Sequence, residues 1–240
     1  MYQHVFTRGV TSAVVESGGP PGDRGLTVAF KPDPEIFGAA AFDADAIRDR
    51  LRQLAFLHSG VRITFTDETA GARDEFEYAD GIRQYVKFLN EGRSPLHADV
   101  IVLRGEEQDV RYEVGLQWCA DESEERRSFA NHHFTPRGGT HDSGLRSGVA
   151  AGVRDFIRAI AADPGKFEGD DLRTGLTAVV SVWLREPMFM GATRSHLGNP
   201  EAEAVVKVAV RRSVFEYFET NRGVAERVGK AVLAARARRK

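Results

Sequence analysis

The nine residues from Leu176 to Leu184 constrain the fold more than any other segment of the sequence. Only Thr177 and Ser181 interrupt their apolar run, and its valines and threonine make it strongly β-prone. A strand that is apolar on both faces must be covered on both faces. The sequence therefore predicts a central strand in a sheet that other elements cover from two sides.

The segments around this strand alternate irregularly between helical and extended patterns. Asp43 or Asp45 is a suitable N-cap for the first predicted helix, because a carboxylate there accepts bonds from unpaired amides. Helices mixed with hairpins make the predicted class α+β. The predicted helices are 43–58, 81–89, 142–160 and 201–240, the last interrupted near 221–223, and the predicted strands are 12–16, 26–30, 61–65, 75–78, 100–103, 110–118 and 128–134.

Charge and composition limit the partners and the location. Lys and Arg number 33 against 35 Asp and Glu, a formal net charge of -2, so contact with nucleic acid must be local. No apolar run reaches the roughly 20 residues of a membrane helix, and no basic region followed by an apolar one opens the chain, so we expect no membrane contact and no export. The single cysteine, Cys119, cannot form an internal disulfide, which favours a cytoplasmic location.

Two kinds of catalytic centre are disfavoured by the residues present. His132, His133 and His141 lack a metal-binding helical spacing, and adjacent histidines in a strand point to opposite faces. No serine stands in a Gly-x-Ser-x-Gly turn, and Cys119 lies within an apparent buried strand. We therefore expect no metal ligand and no catalytic residue in this chain.

Two loops carry groups suited to an anion. Arg-Gly-Gly-Thr-His at 137–141 precedes a helix, where backbone amides can cradle an anion, although composition favours a tight structural turn. The loop 190–196 offers the Thr193 hydroxyl and the Arg194 guanidinium, a planar fork suited to phosphate or carboxylate. Neither loop decides between structure and binding by itself.

The last 20 residues are strongly basic. Between 221 and 240, seven Arg or Lys residues stand against Glu226 alone, and 7 − 1 leaves +6. Such a helix could neutralise DNA phosphates, or its cations could simply stabilise a solvated helix end. The candidate DNA-binding residues are Arg236, Arg238, Arg239 and Lys240.

Several strings, in one order, carry a resemblance that extends over essentially the whole chain. The sequence resembles the B subunit of DNA gyrase and its topoisomerase IV counterpart, members of the type IIA topoisomerases. The strings are Leu-Ala-Phe-Leu-His-Ser-Gly-Val-Arg-Ile at 54–63, Pro-Leu-His at 95–97, Arg-Gly-Gly-Thr-His at 137–141, Arg-Thr-Gly-Leu-Thr-Ala-Val at 173–179 and Ala-Ala-Arg-Ala-Arg at 234–238.

The resemblance implies a chain of two parts. Residues 1–36 resemble the closing strands of a GHKL-type ATP-binding domain, which is incomplete here. Residues 37–240 resemble the family's transducer domain, an α+β fold of the ribosomal protein S5 domain 2 type that ends in a long basic helix. In the family, this domain couples the ATP state to movement of a DNA gate.

The resemblance also names candidate nucleotide-binding residues. The family's transducer sends the lysine of a Gln-Thr-Lys loop to the γ-phosphate of ATP, and this loop matches 192–194. Thr193 and Arg194 are therefore the candidate γ-phosphate sensor, but Ala192 replaces the amide and a guanidinium replaces the ammonium. In a second departure, Leu26 stands where the family usually has a threonine near the adenine.

The expected cofactors and partners follow from the same resemblance. The family's metal-binding asparagine, general-base glutamate, Asp-x-Gly-x-Gly turn and Gly-rich lid all match positions before Met1. We therefore expect ATP and Mg²⁺ only in the context of a complete ATPase domain, and no ATPase activity from this chain alone. The implied partners are DNA and a gyrase A-like subunit, with a homodimer as a further option.

Three functions stay open at the level of the sequence. The chain is the transducer part of a type IIA topoisomerase, or a stand-alone degenerate gyrase B-like protein that binds DNA or regulates a topoisomerase without ATP hydrolysis, or a scaffold with neither role. The altered residues at 192–194 and at Leu26 support the second function, whereas the resemblance over the whole chain makes the first the predicted function. Packing alone explains the buried strings equally well under the third.

Overall fold

The structure, a computed structural model, describes residues 2–16, 25–39, 41–160 and 165–239. The Gly/Pro-rich turn predicted at 18–23 lies outside the described residues. The chain divides into two compact units, Met1–Ile47 and Arg48–Lys240. The predicted domain boundary after residue 36 stays a prediction.

Among the described residues of the first unit, two strands form an antiparallel hairpin. Strand β1 (Tyr2–Thr7) pairs with β2 (Val10–Glu16), and Arg8 and Gly9 turn the chain with positive φ angles of 52° and 81°. Helix α1 (Pro34–Phe37) follows, capped by the Asp33 carboxylate. The predicted strand 26–30 is wrong, since these residues pair with no strand in the described chain, although their sequence alternates well. Alternation supplies an apolar face but no hydrogen-bonding edge.

The predicted N-cap of the next helix, α2, is confirmed at Asp43. The Asp43 carboxylate accepts hydrogen bonds from the amides of Asp45 and Ala46, which makes it the N-cap of α2. The remaining elements are α2 (Ala44–Leu57), β3 (Ile63–Asp67), β4 (Ala72–Phe76), α3 (Ile82–Leu89), β5 (Ile101–Glu107), β6 (Val110–Trp118), β7 (Glu125–Ala130), β8 (His133–Phe134), α4 (Thr140–Ile160), a 3₁₀ turn (Asp171–Arg173), β9 (Leu176–Leu184), α5 (Pro200–Thr220) and α6 (Arg222–Arg239).

A five-stranded sheet forms the centre of the second unit, in the order β5-β6-β9-β7-β8. Strand β9 is paired on both sides, antiparallel to β6 and parallel to β7. Its side chains divide between two apolar clusters: Val180 packs with α4 and α5, while Val179 packs with α2 and α3. The prediction of a central strand covered on both faces is confirmed.

Turns decide the outcome of two other predictions. The predicted strand 128–134 is two strands, β7 and β8, because Asn131 and His132 adopt positive φ angles of 44° and 69°. The predicted break in the last helix is confirmed at Asn221, whose side chain donates to the carbonyl of Tyr217.

Within the described residues, no helix combines the length and the apolar character needed to cross a bilayer.

The fold class predicted from the sequence, an S5 domain 2-like transducer domain preceded by a short GHKL-type β remnant, is wrong. The described part of the second unit is built around a five-stranded sheet with helices on both faces. Strand and helix patterns define elements but not the domain that those elements complete.

Candidate functional site

The segment 188–198, called here the sensor hairpin, carries both candidate nucleotide-binding residues. The amide of Met190 donates to the carbonyl of His196 at 2.9 Å, and the amide of Gly198 donates to the carbonyl of Met188 at 2.7 Å. These two bonds close a short antiparallel pair, with a bridge between Phe189 and Leu197. The hairpin therefore has a hydrogen-bonded base and a separate tip.

The base of the sensor hairpin rests on the Gly-rich loop before α4. The amide of Arg137 donates to Ser195 O at 3.0 Å, and the amide of Thr140 donates to Leu197 O, also at 3.0 Å. In the other direction, Leu197 N donates to the carbonyl of Gly138 at 3.2 Å. The two loops that the sequence presented separately are thus one hydrogen-bonded unit.

Glycine is required where this contact is closest. Gly139 has a φ of 139°, and a Cβ there would lie 2.5 Å from both the amide nitrogen and the carbonyl oxygen of Leu197. Backbone amides of the loop also donate to protein carbonyls, as Gly138 N does to Thr135 O, and are therefore not free to bind an anion. These contacts support the structural-turn interpretation of the Gly pair over an anion cradle.

Asn199 fixes the other side of the hairpin. Its side-chain Oδ1 accepts a hydrogen bond from the backbone amide of Met188 at 2.6 Å, and its Nδ2 donates to the carbonyl of Glu186 at 3.1 Å. The residue is 2% exposed and immediately precedes α5. The hairpin base is therefore tied to α4 through Gly138 and to α5 through Asn199.

The tip, in contrast, is exposed to solvent. Gly191, Ala192, Thr193 and Arg194 are all exposed, and Arg194 has a positive φ of 53°. The Thr193 hydroxyl lies 3.2 Å from that of Ser195. The tip therefore presents one hydroxyl and one cation on a fixed base.

The Arg194 guanidinium is held by two residues of its own chain. Its Nη1 lies 2.9 Å from Nε2 of His133 on β8, and its Cζ lies 5.8 Å from the centre of the Phe189 ring. His133 in turn meets the Phe189 ring edge to face at 5.6 Å. A guanidinium can only donate, so Nε2 of His133 must accept and the imidazole must be neutral.

The electrostatics around His133 favour that neutral form. Burial lowers the pKa of His133, and the positive charges of Arg194 and Arg50 lower it further. The Arg50 side chain belongs to α2 and donates to the carbonyl of His132 at 2.7 Å. Around neutral pH, His133 is therefore a hydrogen-bond acceptor for Arg194.

The other predicted histidines serve structure. His141 is fully buried, its Nε2 lies 3.2 Å from the Thr135 hydroxyl, and burial lowers its pKa to about 4. The His132 ring lies against the His58 ring with ring centres 4.3 Å apart and planes tilted by 32°, and burial together with the neighbouring charges lowers the pKa of His132. In the part of the chain that the structure describes, no three His, Cys, Asp or Glu side chains are grouped to hold a metal ion.

Cys119 is buried next to the 3₁₀ turn that precedes β9. Its amide donates to the carbonyl of Gly175 at 2.8 Å, and burial raises the pKa of its thiol. A raised pKa leaves the thiol protonated and weakly nucleophilic. The geometry gives this cysteine a packing role.

The basic residues at the end of α6 are engaged with the body of the second unit. Arg239 makes a two-pronged ion pair with the buried Asp171 at 3.0 and 2.7 Å, and Arg238 pairs with the exposed Glu122 at 2.6 Å. The Arg236 guanidinium lies 4.8 Å from the centre of the Phe167 ring. Lys240 lies outside the described residues. These contacts stabilise the helix end, whether or not DNA also approaches it.

Comparisons with known proteins converge on one group of proteins. The family model described as DNA gyrase B matches residues 81–240. The chain is 37% identical over 242 residues to the B subunit of the type 2 topoisomerase of Aquifex aeolicus, and 34% identical over 243 residues to the B subunit of the DNA gyrase of Clostridium acetobutylicum. Each match covers 99% of this chain. These relatives are B subunits of type II topoisomerases.

The chain belongs to the DNA gyrase B family, as its sequence strings predicted. It spans 31% of the length of the Aquifex aeolicus protein and 38% of the Clostridium acetobutylicum protein. The chain therefore corresponds to about a third of these relatives.

Solved structures show the same relationship. The chain is similar to the 43K ATPase domain of Thermus thermophilus gyrase B in complex with an aminocoumarin, with a TM-score of 0.80 and 34% identity. That match covers 99% of this chain and 66% of the solved one. The topoisomerase IV ATP-binding domain of Francisella tularensis, 20% identical with a TM-score of 0.81, has the same fold.

The structural match is the finding that overturns the predicted fold class. The whole chain, and not only residues 1–36, matches a structure described as an ATPase domain. Sequence strings identified the family correctly, since they record residues. Such strings do not show to which domain fold the helices and strands belong.

Sequence reasoning missed His133 and Phe189 as partners of Arg194. His133 was considered only as a metal ligand, and Phe189 was not singled out. No sequence signal marked either partner, because water can solvate an exposed guanidinium and no protein acceptor is required. Only the pairing of β7 with β8 brings that acceptor, 61 positions away, to the hairpin tip.

Proposed function

We propose that this chain relays the nucleotide state of a gyrase B-type subunit to its DNA gate, and that Thr193 and Arg194 sense the γ-phosphate of ATP. Membership of the DNA gyrase B family and the ATPase-domain fold make ATP the nucleotide of choice. The transfer of phosphoryl groups needs a base, a metal ion and a phosphate cradle together. On this proposal, the chain contributes one arm to that assembly.

The geometry of the sensor hairpin carries the proposal. An exposed cation stands on a base that is hydrogen-bonded to the start of α4 through Gly138 and to the start of α5 through Asn199. A force on Arg194 would therefore reach the two longest helices of the second unit through short backbone contacts. An arm of this kind suits coupling better than catalysis.

The chemistry of the tip fits a phosphate. A guanidinium can donate two parallel hydrogen bonds to phosphate oxygens, and the Thr193 hydroxyl can add a third. When bound, Mg²⁺ neutralises phosphate charge. In the part of the chain that the structure describes, no three His, Cys, Asp or Glu side chains are grouped where such an ion could bind.

The proposed partners follow from the family. DNA and a gyrase A-like subunit would act with the complete protein, and a second copy of the chain is the proposed dimer partner. We also propose that Arg236, Arg238 and Arg239 lie near DNA in that assembly. The ion pairs of Arg238 with Glu122 and of Arg239 with Asp171 weaken the alternative of a stand-alone DNA-binding protein.

A charge reversal at the tip tests the sensor role. Arg194→Glu should strongly reduce ATP-dependent supercoiling by a full-length gyrase B-type protein in which this chain forms the matching region, together with its A-type partner. Arg137→Glu is the matched control, because Arg137 is exposed on the neighbouring loop and only its backbone contacts the hairpin. Unchanged supercoiling in Arg194→Glu would contradict the proposed function.

The stand-alone alternative is tested by DNA binding of the isolated chain. A protein that binds through its basic helix loses affinity steeply with salt, with a slope set by the number of phosphates contacted. Tight, salt-dependent binding without any A-type partner would favour the alternative. We expect weak binding, since the helix-end arginines already have partners.

A further inference from the structure

We propose that His133 is the positioning residue of the sensor hairpin: as a neutral imidazole it holds the Arg194 guanidinium against Phe189, and when it becomes protonated it releases the arginine. This inference rests on the proposed function in one respect, namely that the released guanidinium is the group that meets a phosphate. The holding contact itself does not depend on that function.

The contact requires one protonation state. Nη1 of Arg194 donates to Nε2 of His133 at 2.9 Å, and the Phe189 ring lies within 6 Å of both groups. Protonation places a proton on Nε2, which removes the only acceptor and leaves two cations in contact. Protonation of His133 therefore removes the hydrogen bond to Arg194 and adds charge repulsion in the same step, so the guanidinium is held in the neutral state and released in the protonated one.

The surroundings of His133 contain positive and neutral groups. Arg194 faces it from the sensor hairpin, Arg50 faces it from α2, and His132 precedes it in the turn. Among the described groups that shift the pKa of His133 there is no carboxylate, and all of them act in the lowering direction. A protonated His133 therefore has no partner that would keep it beside Arg194.

Release affects the tip and leaves the base in place. The base bonds of the hairpin involve Met188, His196, Leu197 and Gly198, none of which depends on His133. At the tip, Gly191 has a φ of 83° with open space around it, and the amide of Arg194 has only a long contact of 3.4 Å to Gly191 O. The positive φ of Arg194 is a conformation that its neighbours must sustain.

A phosphate competes for the same guanidinium. The bond to a neutral imidazole is a single one, whereas a phosphate dianion can accept two charge-assisted bonds from one guanidinium. An arriving phosphate therefore displaces His133, and a protonated His133 becomes a second cation for the anion. Anion binding at the tip should tighten as the pH falls.

The first experiment measures the contact in the isolated chain without nucleotide. The imidazole of His133 is titrated by NMR in the wild type, in Arg194→Gln and in the control Arg111→Gln, whose guanidinium stacks on Trp183 instead. We expect the pKa of His133 to rise in Arg194→Gln and to stay at the wild-type value in Arg111→Gln. An unchanged pKa in Arg194→Gln would overturn the proposal.

The second experiment follows the tip. In the wild type, the backbone ¹H–¹⁵N NOE values at residues 191–194 should be lower one pH unit below the His133 pKa found in the first experiment than at pH 7.5, because a tip without the His133 contact moves more freely. His133→Gln, which cannot be protonated, should abolish this pH response, whereas the control His58→Gln should retain it. A pH response that persists in His133→Gln would contradict the proposed role of His133.

A third measurement uses sulfate, which stays a dianion over this pH range, as the probe. Sulfate should shift the tip resonances several-fold more strongly one pH unit below the measured His133 pKa than at pH 7.5, and not in Arg194→Gln; equal responses at both pH values would contradict release by protonation. If the first two experiments succeed while Arg194→Glu leaves supercoiling intact, the holding contact stands and the proposed function fails. If the first two experiments fail while Arg194→Glu reduces supercoiling, the holding contact is rejected and the proposed function stands.

Discussion

Gly148 of α4 lies directly against the backbone carbonyl of Lys207 on α5. A Cβ at this position would lie 2.8 Å from that oxygen and 2.9 Å from Cβ of Val210. Gly144 and Gly152, one turn to either side, approach the carbonyls of Glu203 and Arg211 in the same way. The three glycines let the backbones of two long helices touch, and this contact places the helix starts that carry the sensor hairpin.

Gly148→Ala should destabilise the protein by roughly 1–3 kcal/mol, because the helices must separate to admit a methyl group into a close-packed contact. Gly229→Ala in α6 is the matched control, since a Cβ there meets nothing within 4 Å. That change should stabilise the helix by about 0.5–1 kcal/mol. Urea unfolding of the two variants checks both signs, and a neutral Gly148→Ala would contradict the tight contact.

His141 should make the protein less stable in mild acid. Burial lowers its pKa to about 4 in the folded protein, below the value of about 6.5 in the unfolded chain, so the unfolded state binds the proton more readily. Its contribution to stability is complete above pH 6.5 and falls as the pH drops towards 4. Between pH 7.5 and pH 5 this amounts to about 2 kcal/mol.

His141→Phe tests this dependence without an unpaired group. Nδ1 of His141 has no hydrogen-bond partner in the described structure, so an apolar ring of similar size suits the site. Urea unfolding at pH 7.5 and at pH 5 should show a smaller difference for the variant than for the wild type. An identical difference in the two proteins would mean that His141 is not the titrating group.

Asp171→Asn should loosen the end of α6. Hydrogen bonding to Arg239 lowers the pKa of Asp171, so the ion pair contributes above the ordinary pKa of an aspartate and is lost as the pH falls through the lowered value. We expect several-fold faster amide exchange in the last turn of α6 for the variant at neutral pH. In the wild type, the same loosening should appear only in strong acid.

Glu122→Gln tests whether the helix end contacts DNA. The change removes the exposed partner of Arg238 and should alter stability very little, because exposed ion pairs contribute little. If Arg238 meets DNA, the variant should bind DNA more tightly, and Arg238→Gln should reduce the slope of log affinity against log salt by about one. Equal slopes in all three proteins would remove Arg238 from the proposed DNA-binding set.

Most elements of the second unit were predictable from local pattern. Strands β6 and β9 were predicted at their observed bounds, and the break between α5 and α6 was predicted near Asn221. Each of these rests on the side chains of one segment, or on a residue that ends a helix by itself. The predicted strand 26–30 failed because a strand also needs a partner edge, which no single segment contains.

The candidate site was predictable only in part. Arg194 was found by resemblance, but its acceptor His133 was not, because it lies 61 positions away, and no motif marks Phe189, five positions before Arg194, as a partner of the guanidinium. The predicted role of the Gly pair at 138–139 as a structural turn agrees with the observed contacts to Leu197. The basic residues at the end of α6 were recognised as cations, whereas their acids, Asp171 and Glu122, became visible only in the fold.

The sequence by itself determined the family, the central buried strand and the identity of the cation at the hairpin tip, since each of these is written in contiguous residues. The tertiary structure alone decided which domain fold those elements complete, which acceptor holds Arg194, and which helices the hairpin base touches. Those outcomes depend on groups far apart in the chain, such as Gly138 with Leu197 and His133 with Arg194. Such pairs meet only after the sheet has set its strand order, and no local pattern encodes that order.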